Sequence, residues 1–155
     1  MAAHKDHAEV KIHPPVLALI YLVIVYLVKR YIPISLVVPD VLRNIGITLV
    51  VIGIMLGFGV VWEFGKSRTT LNPHGSVTSI VTSGVFRFSR NPIYLGFVLM
   101  LIGFPLYTGT YWGLFFAPLL VISFNELVIQ YEEAYLEKKF GDEYTSFKSR
   151  VRRWL

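Results

Sequence analysis

Long apolar runs alternate with short polar breaks along this chain, and four of the runs predict membrane-spanning helices. The first covers residues 14–30. Its apolar part, Pro14 to Val28, is shorter than the roughly 20 residues a bilayer asks for, but Lys29 and Arg30 can snorkel and extend it. The second covers about 41–62 and carries Gly53-x-x-x-Gly57, a spacing that puts two bare backbone patches on one face for a neighbouring helix. The third covers 92–107. The fourth starts near Tyr111 and has no stop before Phe140, so a helix over 111–139 projects out of the bilayer by several turns. Only Thr108-Gly109-Thr110 separates the third and fourth runs, which makes them an antiparallel hairpin, whereas Gly65 to Asn91 is a long, polar, basic connection. After Gly141, Asp142 caps a further helix over about 142–153. Its stripe of Tyr144, Phe147, Val151 and Trp154 or Leu155 opposes Lys148, Arg150 and Arg152, a pattern suited to the anionic inner membrane surface.

The expected fold class is therefore all-α: one membrane-embedded domain over 1–155, with four spans, a long cytoplasmic loop and a C-terminal interfacial helix. Composition supports this. The chain has 155 residues, one domain's worth; 54% are hydrophobic and 16% charged, against about 25% charged in an ordinary soluble domain. Mean hydropathy is +0.57, more apolar surface than a domain burying about 70% of its unfolded surface can hide. The absence of cysteine excludes disulfides, thiolate metal sites and cysteine nucleophiles. The polar start MAAHKDHAEVKIHPP predicts no removable signal peptide.

The net charge of +5 marks a membrane face rather than nucleic acid binding. Twelve Lys and Arg fall on the termini and long loop, including Lys5, Lys11, Lys66, Arg68, Arg87 and Arg90, against Lys29, Arg30 and Arg43 on the other side. This places both termini and the long loop in the cytoplasm, with anionic membrane lipids as partners.

Two segments carry candidate chemistry. In Ser89-Arg90-Asn91-Pro92-Ile93-Tyr94-Leu95-Gly96, Pro92 suits the first helical position and Asn91 the N-cap. The helix start then offers free N–H groups and a positive dipole end to an anion, with Arg90 and Tyr94 beside it and a gap at Gly96 where a ligand or a helix can press close. Read alone, the segment is more readily a capped span with one positive-inside arginine. On the fourth helix, Glu126 and Glu133 lie seven residues apart, on roughly one face. Glu126, within the apolar part, is expected to face the bundle interior. Glu132 and Glu133 suit either a solvated helix extension or a cationic ligand. Together the two segments match a zwitterionic sulfonium, with Tyr94, Phe86, Phe88 and Tyr131 available to stack on its adenine.

The stretches Thr69-Thr70-Leu71-Asn72-Pro73-His74, VTSGVFRFSRNPIYLG (81–96) and EEAYLEKKFGDEYTSFKSRVRRWL (132–155) resemble the isoprenylcysteine carboxyl methyltransferase and phospholipid methyltransferase superfamily. The resemblance covers roughly the C-terminal 90 residues. It implies an enzyme that uses S-adenosylmethionine at the cytoplasmic end of such a hairpin and takes a lipid-like substrate from the bilayer. Arg90, Asn91, Tyr94 and Gly96 then line the cofactor pocket with Glu132 and Glu133. Phe140, Gly141 and Tyr144 continue the pattern, and Arg150, Arg152 and Arg153 are basic tail residues near the site. Asn91 stands where prenylcysteine methylases usually carry His, which resembles the bacterial phospholipid-type members and implies a bacterial cell (inner) membrane.

On this reading the protein mainly aligns nucleophile and methyl group, which supplies about 7–11 kcal/mol, and excludes water. The catalytic candidates are Arg90, Glu132 and Arg150. A carboxylate acceptor, as in an isoprenylcysteine-like substrate, needs only an arginine such as Arg90 or Arg150. A phospholipid amine needs a base, for which Glu126, Glu132 and His74 are candidates. His74 otherwise reads as a loop residue. No metal is expected, His4, His7 and His13 reading as a solvated arm. A proton-coupled exporter competes, but it would place an acid in the first span, where there is none; sterol-type reductases with the same hairpin are much longer.

Overall fold

The computed structural model describes residues 10–67 and 78–155, and every regular element among them is a helix. Residues 1–9 and 68–77, with Lys5, His4, His7, Arg68 and the Thr69–His74 motif, lie outside the described residues.

Helix α1, Pro14–Tyr31, opens on two prolines, whose fixed φ suits a first turn where no N–H is needed, and ends on Lys29 and Arg30 at the negative end of its dipole. Helix α2, Asp40–Ser67, has Asp40 in its first turn and Lys66 in its last. Helix α3, Pro92–Tyr107, begins at Pro92 as expected. Gly109, at φ +85°, turns the chain, and the Thr110 N–H donates to the Pro105 carbonyl at 2.9 Å. Helix α4, Trp112–Phe124, runs through a π turn at Asn125–Ile129 into α5, Gln130–Phe140. Residues 112–140 thus form one rod, about 43 Å long at 1.5 Å per residue. Gly141, at φ +51°, separates α5 from α6, Asp142–Arg150.

Three of these elements, α1, α2 and the rod, are long and apolar enough to cross a membrane, while α3 is a shorter apolar helix of 16 residues. Their outer faces stay apolar: Leu19 on α1 is 60% exposed, and Phe58 and Trp62 on α2 are 72% and 67% exposed. In water such a surface is unfavourable; against lipid it is not.

The closest helix pairing is α2 on α3, and it corrects the expected glycine spacing. A Cβ on Gly53 would lie 2.7 Å from the Gly96 carbonyl oxygen, and one on Gly46 would lie 2.6 Å from that of Gly103. The antiparallel contacts recur every seven residues, two turns. Gly57 has open space where its Cβ would be, because a shift of four residues carries it past the seam.

Helix α1 packs Leu17, Ala18 and Val25 into a core with Val98, Leu101, Leu120 and Phe124, and Tyr21 shares a 2.7 Å hydrogen bond with Ser123. A second cluster joins Val60 of α2, Val81 and Phe86 to Tyr144 and Phe147. Helix α6 ends at Arg150 rather than near 153, and of the expected apolar stripe Tyr144 and Phe147 are buried inside the protein while Leu155 is exposed.

Candidate functional site

The start of α1, the end of α2, the start of α3, α5 and α6 converge on a cavity of about 440 Å³. Its wall is largely apolar and aromatic, from Val60, Phe64, Phe86, Phe97, Tyr144 and Phe147, and its polar groups come from Arg90, Asn91, Tyr94, Glu132 and Glu133. A mostly apolar concavity with a few convergent polar groups is the usual form of a small-molecule site.

The polar groups are held by the chain's last residues, which strap across the start of α3. The Arg90 N–H donates to the Arg152 carbonyl at 3.0 Å, and the Asn91 Nδ2 to the Arg153 carbonyl at 3.1 Å. Asn91 sits at the N-cap position, but its side chain makes this tail contact instead of a capping bond. Ser89 completes the strap, its Oγ donating to the Arg153 carbonyl at 3.2 Å and accepting the Asn91 N–H at 3.1 Å.

Glu133 is buried and doubly compensated. Arg90 Nη2 lies 2.9 Å from its Oε1, and Arg153 grips both oxygens, Nε at 3.1 Å and Nη2 at 2.6 Å. This bond raises the affinity of the Arg153 guanidinium for its proton, and burial together with the Glu133 charge pushes the Tyr144 hydroxyl up. Glu132 differs. It accepts one bond, from the Tyr94 hydroxyl at 2.7 Å, and meets no cation among the described residues. Tyr94 is fixed in turn by stacking on Phe124 at 5.0 Å. Arg90 also retains a buried Nε–H without an acceptor. The cavity wall therefore contains a residue with a spare donor and a carboxylate with a spare acceptor.

Of the residues expected from the sequence, the structure brings together Arg90, Asn91, Tyr94, Glu132 and Glu133, with Phe86 and Tyr144 in the same wall. Others stand elsewhere. Gly96 is closed off by Gly53 and serves helix contact. Arg150 is exposed and donates to the Ser146 carbonyl of its own helix at 3.1 Å; Arg153 occupies the inner position. Phe88 is 74% exposed, and neither it nor Tyr131 lines the cavity. Glu126 is exposed rather than interior and takes a 3.0 Å bond from Gln130. The π turn explains this: its wider winding breaks the two-turn periodicity that would align Glu126 with Glu133.

Glu63 was not anticipated. It is buried on α2, where it accepts the Ser83 hydroxyl and lies 3.6 Å from Lys66 Nζ. The bond holds the turn at Gly84–Arg87, which presents Phe86 to the cavity and packs it on Phe64 at 5.6 Å. The sequence signal was available: an acid late in an otherwise apolar helix carries the same cost that drew attention to Glu126.

A helical, lipid-compatible bundle with a mixed-charge cavity at one end of a hairpin is the class that fold and cavity define. The phospholipid methyltransferase family model matches residues 42–143, most of the chain, and the chain belongs to that family. It is 40% identical over 63 residues to an uncharacterized protein of Haemophilus influenzae, covering 41% of this chain and all of that one. It is 32% identical over 72 residues to protein-S-isoprenylcysteine O-methyltransferase of Schizosaccharomyces pombe, covering 46% of this chain and 30% of that one. With protein-S-isoprenylcysteine O-methyltransferase B of Arabidopsis thaliana it shares 29% identity over 119 residues, covering 71% of this chain and 57% of that one. The chain thus spans about a third to rather over half of the two named methyltransferases. No solved structure matches it.

Proposed function

We propose that this protein transfers a methyl group from S-adenosylmethionine to a lipid-like acceptor within the membrane. The observation that carries the reading is the unequal treatment of neighbouring carboxylates: Glu133 is neutralised by two arginines, while Glu132 faces the same cavity with only a tyrosine hydroxyl. A half-buried carboxylate without a cation carries a desolvation cost, and a ligand that brings positive charge offsets it. When bound, S-adenosylmethionine supplies an electrophilic methyl group on a cationic sulfur, and transfer to a carboxylate annihilates one charge of each sign, a change that a water-poor site favours.

The chain's own residues fit such a group. Glu132, oriented by Tyr94, holds positive charge; Arg90 and the first turn of α3 face the negative end; Phe86, Tyr144 and Phe147 give the flat apolar surfaces that a purine stacks on. Glu133 and Arg153 are positioning residues that fix Arg90 and the tail strap. The four helices are read as membrane spans, with both termini and the cavity at the cytoplasmic face of a bacterial inner membrane, the side to which the twelve cations of the termini and long loop assign them.

A carboxyl group on an isoprenylcysteine-like lipid is the acceptor named for the two curated relatives and is the leading assignment here. A phospholipid amine is the second reading. It is favoured by the engagement of both inner arginines with Glu133, which leaves Glu132 as the charged group open to an acceptor. Membranes containing the protein, supplied with methyl-labelled S-adenosylmethionine, are expected to label the lipid fraction. Label released by mild base identifies an ester; base-stable label assigns the amine reading; no label in the lipid fraction refutes lipid methylation.

A further inference from the structure

We propose a second binding site, for one anionic phospholipid, at the end of the bundle opposite the methyl-transfer cavity. A cleft of about 360 Å³ opens there between α1 and the α3–α4 turn. Its depth is apolar, formed by Leu22, Val25, Phe104 and Pro105, and its mouth carries Lys29 and Arg30. No acid among the described residues lines it, and none of the ion pairs of the described residues includes either cation. Lys29 Nζ donates to the Thr108 carbonyl at 2.7 Å, which holds its charge over the turn. Arg43 comes to the same turn, its Nη2 3.5 Å from where a Cβ on Gly109 would sit. Lys29 and Arg30 thus line the cleft itself, while Arg43 stands beside the adjoining turn.

That grouping suits a phospholipid rather than a small anion or a neutral chain. The apolar depth matches an acyl segment running along α1 toward the bilayer interior, and the cationic mouth, at the level where the apolar runs end, matches a phosphate. A neutral lipid leaves Lys29 and Arg30 uncompensated, and free phosphate leaves the apolar depth unfilled. Because positive charge is otherwise concentrated at the opposite end of the bundle, the clustering here also departs from the chain's own charge pattern. The site rests on the membrane reading of the helices and not on the proposed chemistry, so a failed methyl-transfer assay leaves it standing.

Native mass spectrometry of the full chain, released from detergent containing equal phosphatidylglycerol and phosphatidylcholine, tests it. One retained phosphatidylglycerol is expected, favoured about tenfold or more over phosphatidylcholine. The double variant Lys29→Gln/Arg30→Gln should lose that preference, and Arg30→Glu, at an exposed position, should lose it too. Lys138→Gln/Arg152→Gln, at exposed positions at the other end, should keep it. Equal retention of the two lipids, an unchanged preference in the Lys29/Arg30 variants, or complete displacement by millimolar inorganic phosphate would each overturn the proposal.

Discussion

Glu132 and Glu133 are consecutive on α5 yet occupy opposite electrostatic circumstances: Glu133 is gripped by Arg90 at 2.9 Å and Arg153 at 2.6 Å, while Glu132 holds only the Tyr94 hydroxyl at 2.7 Å. One residue of helical rotation turns the Glu132 carboxylate to the cavity and that of Glu133 to the tail strap. The pair is thus divided between holding the structure and meeting a ligand.

Substitution should separate the two roles. Glu133→Gln leaves two guanidiniums without their carboxylate and should cost stability, about 3 kcal/mol, toward the low end for a broken buried pair because Arg153 is 37% exposed. Glu132→Gln keeps the Tyr94 bond and should cost less than about 1 kcal/mol. Glu137→Gln removes a surface pair with Lys148 and should be within about 0.5 kcal/mol of neutral. Denaturant unfolding in detergent, followed by helical circular dichroism, gives the ranking; equal losses for all three would mean that the acids are a uniform surface.

The arginines of the tail should be just as unequal. Arg153→Ala removes the bidentate grip on Glu133 and should lower both stability and methyl transfer, whereas Arg150→Ala, an exposed residue bonded only to its own helix, should leave both near wild type. Parallel thermal melts and transfer assays check this. A loss confined to Arg150→Ala would show that the tail packs in another register.

Glycine positions give a test of the α2–α3 seam. Gly53→Ala and Gly96→Ala each drive a methyl group against a backbone carbonyl, at 2.7 Å and 2.8 Å, and should destabilise by about 1–3 kcal/mol. Gly57→Ala, which meets open space, should be neutral or slightly stabilising. Unfolding midpoints decide, and a loss at Gly57 equal to that at Gly53 would contradict the seam.

Glu63 is predicted to act on the cavity through Phe86. Glu63→Ala frees the Ser83 hydroxyl and loosens the Gly84–Arg87 turn, costing about 1–3 kcal/mol. Its kinetic signature should be a raised KM with kcat largely kept, and Glu63→Gln, which still accepts from Ser83, should restore part of the loss. A fall in kcat alone would assign Glu63 a different part.

Much of this was legible in the sequence because hydrophobic runs and prolines act locally. Pro92 and the Thr108–Thr110 break set α3 at residues 92–107, and the expected first helix differs from α1 by one residue at its end. Arg90, Asn91, Tyr94, Glu132 and Glu133 were legible as candidates from charge and the family resemblance, and the structure places them in one wall. What escaped depends on phase and partner. The π turn rotates Glu126 outward, a change that no 3.6-residue count shows. The α2–α3 register selects Gly53 and not Gly57, and the burial of Tyr144 and Phe147 depends on Val60 of a helix far away in the chain.

The most direct test is titration calorimetry of S-adenosylmethionine into the folded, detergent-solubilised protein and its Glu132→Gln variant. Saturable one-to-one binding is expected for the wild type, weakened about tenfold or more in the variant while its unfolding midpoint stays close to wild type. Absence of saturable heat from the folded wild type, or equal affinity in Glu132→Gln, would contradict the assignment of the open carboxylate to a cationic methyl donor.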